Sequence, residues 1–152
     1  MNRRNLLQDA ALIAASAATL AEVSRAQAPG ARSSGGAVMR LINRHHGTHG
    51  VAVKSAPANL DICASRAGDK MFLHVANMNY SGATEATFAV DGFVATGGRV
   101  LEISPENPRQ EVSTVHPDAF KPREHALPDG NVVKWKFPAR SVSVVELDCR
   151  AA

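Results

Sequence analysis

From Val51 onward, apolar and polar residues alternate in short runs, the two-residue period of half-buried strands. "VAVK" (51–54) is the first such run. "LDICAS" (60–65) and "KMFLHVANMN" (70–79) flank "RAGD", where Gly68 and Asp69 predict a hairpin turn. In the second of these, Met71, Leu73 and Val75 alternate with Phe72, His74 and Ala76. "EATFAVDGF" (85–93) puts Ala86, Phe88 and Val90 on one face. "GRVLEIS" (98–104) follows a Gly97–Gly98 turn, then come "EVSTVH" (111–116) and, after an Asp129–Gly130 turn, "NVVKWKF" (131–137). In "SVSVVELD" (141–148), Val142, Val144 and Glu146 oppose Ser143, Val145 and Leu147. About seven to nine short strands with turns roughly every ten residues predict an all-β fold, an antiparallel β-sandwich over 51–149. The proline-rich segment 105–128 breaks the rhythm and is expected to run over the sandwich surface. There is no βαβ alternation and no G-x-G-x-x-G, which argues against nucleotide-binding α/β folds.

The pattern before Val51 is different. "AVMRLINRHHG" (37–47) spaces Val38, Leu41 and Ile42 by three and four, which predicts a short helix with one narrow apolar stripe. Basic residues crowd its end, where the helix dipole favours positive charge, and Gly47 stands as the C′ residue. "APGARSSGG" (28–36) has the composition of a linker, placed at 29–36. Ahead of it, Arg3 and Arg4 precede Leu6 and Leu7, and the alanine-rich stretch 10–21 follows. A charged start, a short apolar middle and small residues at the end make a signal peptide over 1–28. The arginine pair with x-L-L resembles the twin-arginine export signal, which implies a periplasmic or secreted protein. Twelve mostly alanine residues are too short for stable membrane insertion.

Composition narrows the function classes. The 152 residues are 45% hydrophobic and 20% charged, the balance of one globular domain. The net charge of +3 falls to +2 (14 basic, 12 acidic residues) once residues 1–28 are set aside. No basic run or aromatic-interleaved stripe remains, so nucleic acid is not an expected partner. Cys63 and Cys149 allow one intramolecular disulfide in an oxidising compartment, with two buried free thiols as the alternative. Neither cysteine has a second ligand at C-x2-C spacing, so no zinc is expected there.

Three of the six histidines, His45, His46 and His49, fall within "RHHGTHG". His45 and His49 have the four-residue spacing of a helical zinc pair, but Gly47 interrupts the helix and His46 stands where a zincin has its glutamate. Solvated histidines at a helix end are the simpler reading, and no metal or other cofactor is expected. No serine lies in a G-x-S-x-G elbow. Asp61, Asp69, Glu85, Asp91, Glu102, Glu106 and Glu111 are scattered near strand ends rather than paired for glycoside hydrolysis. Trp135 and Tyr80 are the aromatics that could touch a sugar, although Trp135 alternates with Lys134 and Lys136 and is expected to pack inward.

The order of these segments resembles the C-terminal β-sandwich of family 51 α-L-arabinofuranosidases. Phe72 to Asn77 stands where that family has a strand ending in v-v-N, and Ala86 to Phe93 matches its v-t-f-x-l-x-G-f run. Asn107, Pro108, Val112 and Pro117 loosely follow its next excursion. "FPARSVSVVEL" (137–147) matches its closing strand through Pro138, Ser141, Val142 and Val144. The resemblance spans residues 36–149 and implies a final barrel helix followed by an accessory sandwich. It carries over no catalytic residue, because in that family both catalytic glutamates lie on barrel strands. It implies a non-catalytic accessory piece with a (β/α)8 barrel on another chain as partner. Its helix stripe would then face that barrel or fold back on the sheet. The alternative function is a periplasmic carbohydrate-binding module that takes polysaccharide, and a third is a histidine-cluster metal-binding protein.

Overall fold

Helix α1 runs Ser34–Arg44 and turns Leu41 inward against Leu101, Ile103, Phe120 and Val144, with Val38 beside it. The computed structural model describes residues 34–152 except positions 108, 110, 111, 114 and 131; the expected export signal lies outside the described residues. The helix starts and stops three residues earlier than the stripe predicts, so Ser34–Gly36 belong to it rather than to the linker. Gly47 is not its C′ residue. A Cβ there would sit 2.4 Å from the Arg66 backbone, so the glycine serves a close approach to the sheet.

The described strands are β1 His49–Val51, β2 Leu60–Ala67, β3 Lys70–Asn77, β4 Thr84–Phe88, β5 Phe93–Ile103, β6 Arg123–Leu127, β7 Val133–Phe137 and β8 Val142–Ala151. Six form one antiparallel sheet in the order β1-β2-β3-β8-β5-β6, and β4 pairs with β7 in a second. The expected hairpin is there: Ala67 pairs with Lys70, and Gly68 at φ +57 supplies the turn. The core between the sheets comes from alternate positions, among them Met71, Leu73, Val75, Ala86, Phe88, Val100, Val133, Phe137, Val145 and Leu147. The opposite, outer face of the large sheet carries α1. β8 is therefore buried on both faces, as its run of valines allows.

Three local expectations give way. Gly97 and Gly98 form no turn but lie within β5, directly after a bulge between Ala95 and Gly97 against β8. Gly97 takes φ +139, and a Cβ on Gly98 would meet the Glu146 carbonyl at 2.2 Å. Within the proline-rich segment, "REHAL" becomes β6, paired with Gly98–Glu102, while no strand forms over the described part of 111–116. Of "VAVK", only Val51 belongs to a strand.

Candidate functional site

Both faces of the large sheet carry a buried carboxylate, and the two are built differently. On the outer face, Glu146 of β8 lies opposite Arg99 of β5 and is 8% exposed. Arg99 Nε donates to one carboxylate oxygen at 2.6 Å, and His45 Nδ1 donates to the other at 2.5 Å. Arg99 also reaches Glu124 of β6 at 3.2 Å. Burial pushes the Glu146 carboxyl up, but the hydrogen bonds from Arg99 and His45 outweigh it and hold the group below its ordinary range. His74 Nε2 donates to the His45 carbonyl at 2.7 Å, and Gly47 N donates to Ser65 Oγ at 2.9 Å. The exit from α1 is thereby pinned across β2, β3 and β8.

The histidines of "RHHGTHG" consequently point to different partners. His45 bonds Glu146, His46 Nδ1 donates to Asn43 O at 3.1 Å, and His49 pairs with the Thr48 hydroxyl at 2.9 Å. Among the described residues no group of three or more His, Cys, Asp or Glu side chains is placed to hold a metal ion. Sequence spacing missed the role of His45 because its partner is 101 residues away.

On the inner face, Glu102 of β5 is 4% exposed beside Ser143, its cross-strand neighbour. Burial pushes its carboxyl above the usual range, against weaker opposite pulls from His125, Trp135 and Arg123. Trp135 Nε1 lies close enough to favour the charged form yet outside regular hydrogen-bond geometry. His125 Nε2, Trp135 Nε1 and Ser143 Oγ are buried without a hydrogen-bond partner among the described residues. The His125 and Trp135 rings pack with centroids 5.0 Å apart, tilted at 45°. Trp135 is half-buried against the sandwich core, whereas Tyr80 in the β3–β4 loop is 77% exposed. Glu102 and Glu146 face opposite sides of one sheet, so they cannot flank a shared glycosidic bond.

The motif residues Asn77, Pro138 and Ser141 do converge, at a corner of the sandwich. Buried Asn77 donates to the carbonyls of Phe137 (3.1 Å) and Pro138 (2.8 Å), and its Oδ1 accepts from Asn79 N at 3.0 Å. Ser141 Oγ donates to Pro138 O at 2.8 Å. These contacts tie β3, the loop after it and β7 together; they satisfy buried backbone groups rather than present a reactive atom.

The cysteines form no disulfide. Cys63 and Cys149 are both free thiols, the first exposed and the second buried. Strand β3 lies between their strands, a lateral gap of roughly 10 Å against the ~7 Å limit for a bridge. Cys149 belongs to the inner core, while Cys63 alternates with the inward Ile62 and Ala64 and faces the other way. Two buried thiols, the alternative expectation, also fails at Cys63. Among the described residues no helix is long and apolar enough to cross a membrane.

No family model and no curated relative matches the chain by sequence. Solved structures do match its fold. The arabinose-bound MgGH51 α-L-arabinofuranosidase superposes with a TM-score of 0.69 at 20% identity, over 79% of this chain and 20% of that one. The GH51 α-L-arabinofuranosidase of Thermotoga petrophila RKU-1 gives 0.59 at 21% identity, over 70% and 27%. The glycoside hydrolase family 30 subfamily 8 xylanase Xyn30A of Clostridium acetobutylicum gives 0.54 at 15%, over 76% and 28%. The chain thus has the fold of a partial domain, spanning about a fifth to a quarter of the length of the arabinofuranosidases it resembles.

Proposed function

We propose that this chain is a non-catalytic accessory β-sandwich of an α-L-arabinofuranosidase-like glycoside hydrolase, serving the breakdown of arabinose-containing polysaccharide beside a (β/α)8 barrel on another chain. The observation that carries this reading is the match over 79% of this chain to only 20% of an arabinofuranosidase. The buried carboxylates support it, since Glu102 and Glu146 face opposite sides of one sheet and cannot act as a pair on one glycosidic bond. Arg3, Arg4, Leu6 and Leu7 assign the chain to twin-arginine export and a periplasmic or secreted location. Incubating the purified chain with an aryl arabinofuranoside tests the central claim. No turnover above a mock purification is expected; sustained turnover that co-purifies with the chain overturns it. Replacing Arg3 and Arg4 by lysine is expected to abolish export, and continued export of that variant overturns the localisation.

The carbohydrate-binding reading has the exposed Tyr80 in its favour and the half-buried Trp135 against it. Retardation on arabinoxylan in affinity electrophoresis, lost in Tyr80→Ala, would make it the better account.

A further inference from the structure

Between α1 and the residues Val112, Pro117, Asp118 and Phe120–Pro122 lies a cavity of about 370 Å³. One wall brings Arg40 and Arg44, a helical turn apart on α1, and the other brings Lys121. All three side chains are exposed, and among the described residues none makes a hydrogen bond or ion pair. Asp118 is the single carboxylate among the described lining residues. Beneath them the floor is apolar, with Leu41 at 3% and Phe120 at 7% exposure.

Like charges four residues apart on a helix repel, so Arg40 and Arg44 cost stability where they stand. The helix dipole compensates Arg44 in the last turn. It gives no reason for Lys121 to face the same space from a different segment. An anion between the three cations would relieve the repulsion and satisfy two guanidinium forks, which match the two oxygens of a carboxylate. The volume falls in the range of small-molecule pockets, and the Leu41/Phe120 floor suits a carbon skeleton rather than a bare hydrated ion. We propose that this cavity binds a small organic carboxylate, held at its oxygens by Arg40, Arg44 and Lys121 and seated on Phe120. The proposal does not depend on the accessory role argued above.

The test is a titration of the isotopically labelled full chain with glucuronate, followed by NMR, with glucose and inorganic phosphate as parallel probes. Glucuronate is expected to shift the resonances of Arg40, Arg44 and Phe120 saturably, and glucose, which has the ring without the carboxylate, to leave them unmoved. Affinity should drop about tenfold in Arg40→Gln/Arg44→Gln and in Lys121→Gln, and weaken as salt is raised. These side chains are exposed, so unchanged Trp135 emission will verify that the variants fold. Absence of a saturable response to glucuronate overturns the proposal, as does a response that survives the double substitution. A stronger response to phosphate than to glucuronate overturns the assignment of an organic carboxylate.

Discussion

Glu146 and Glu102 stand on neighbouring strands of one sheet, both more than nine-tenths out of water, and their protonation is driven in opposite directions. Glu146 faces α1 and is met by Arg99 and His45, two donors that satisfy both oxygens. Glu102 faces the sandwich core, where desolvation dominates and Trp135, His125 and Arg123 recover only part of the loss. Burial alone thus does not fix the charge state of a carboxyl; the number and geometry of its donors decide it.

Removing the cover of the outer face should have the largest effect. Leu41→Ala leaves a cavity between α1 and Leu101, Ile103 and Val144, at a cost of about 3 kcal/mol in urea unfolding. Native Trp135 emission should stay the same, because the inner core is untouched. A change in that emission would mean the two faces are not independent.

Glu146→Gln comes next, with a loss of about 2 kcal/mol at pH 7, since Arg99 and His45 lose a charged acceptor. The sign follows from the lowered carboxyl. Its stabilisation is complete above the ordinary value of 4.5 and disappears as pH falls through the lower folded value, so wild type and variant should converge in acid. Equal stability at pH 7 would show the pairing to be idle.

Glu102→Gln should act in the opposite sense, with a gain of about 1 kcal/mol at pH 7. The raised folded value means that the folded chain binds the proton more tightly, so wild-type stability declines as pH rises from 4.5 through that value. The gain should shrink toward pH 4. Trp135 is the single tryptophan, so its emission should follow the Glu102 titration in the wild type and be flat in the variant. A variant less stable at pH 7 would show that the core stabilises the charged form after all.

The smallest effect is one of accessibility. A thiol reagent should label Cys63 in the native chain and Cys149 only after unfolding, and a reductant should leave Tm unchanged. Labelling of both thiols in the native state would contradict the assignment of the two faces.

Much of the architecture was legible because a two-residue period is a local property. The Gly68–Asp69 hairpin, the inward set Met71/Leu73/Val75, the alternation of Lys134, Trp135 and Lys136, and the two faces of β8 all follow from runs of a few residues. β6 was hidden because "REHAL", between Pro122 and Pro128, has little apolar alternation of its own and becomes a strand by pairing with β5. A glycine pair serves a turn or a strand beside a bulge equally well, so Gly97–Gly98 alone does not tell the two apart; the approach of the Glu146 carbonyl to Gly98 within β5 does.

The candidate polar centres were the least legible part. The apolar stripe of the helix and the faces of β3, β7 and β8 were determined by sequence alone, through periodicity and local backbone preference. Which carboxylate would be satisfied, which cysteine would be buried, where the helix stripe would dock and that His45 would end on Glu146 were decided by tertiary structure. Each depends on which strands become neighbours and which face is covered, and desolvation and pairing act between residues that the chain order keeps far apart.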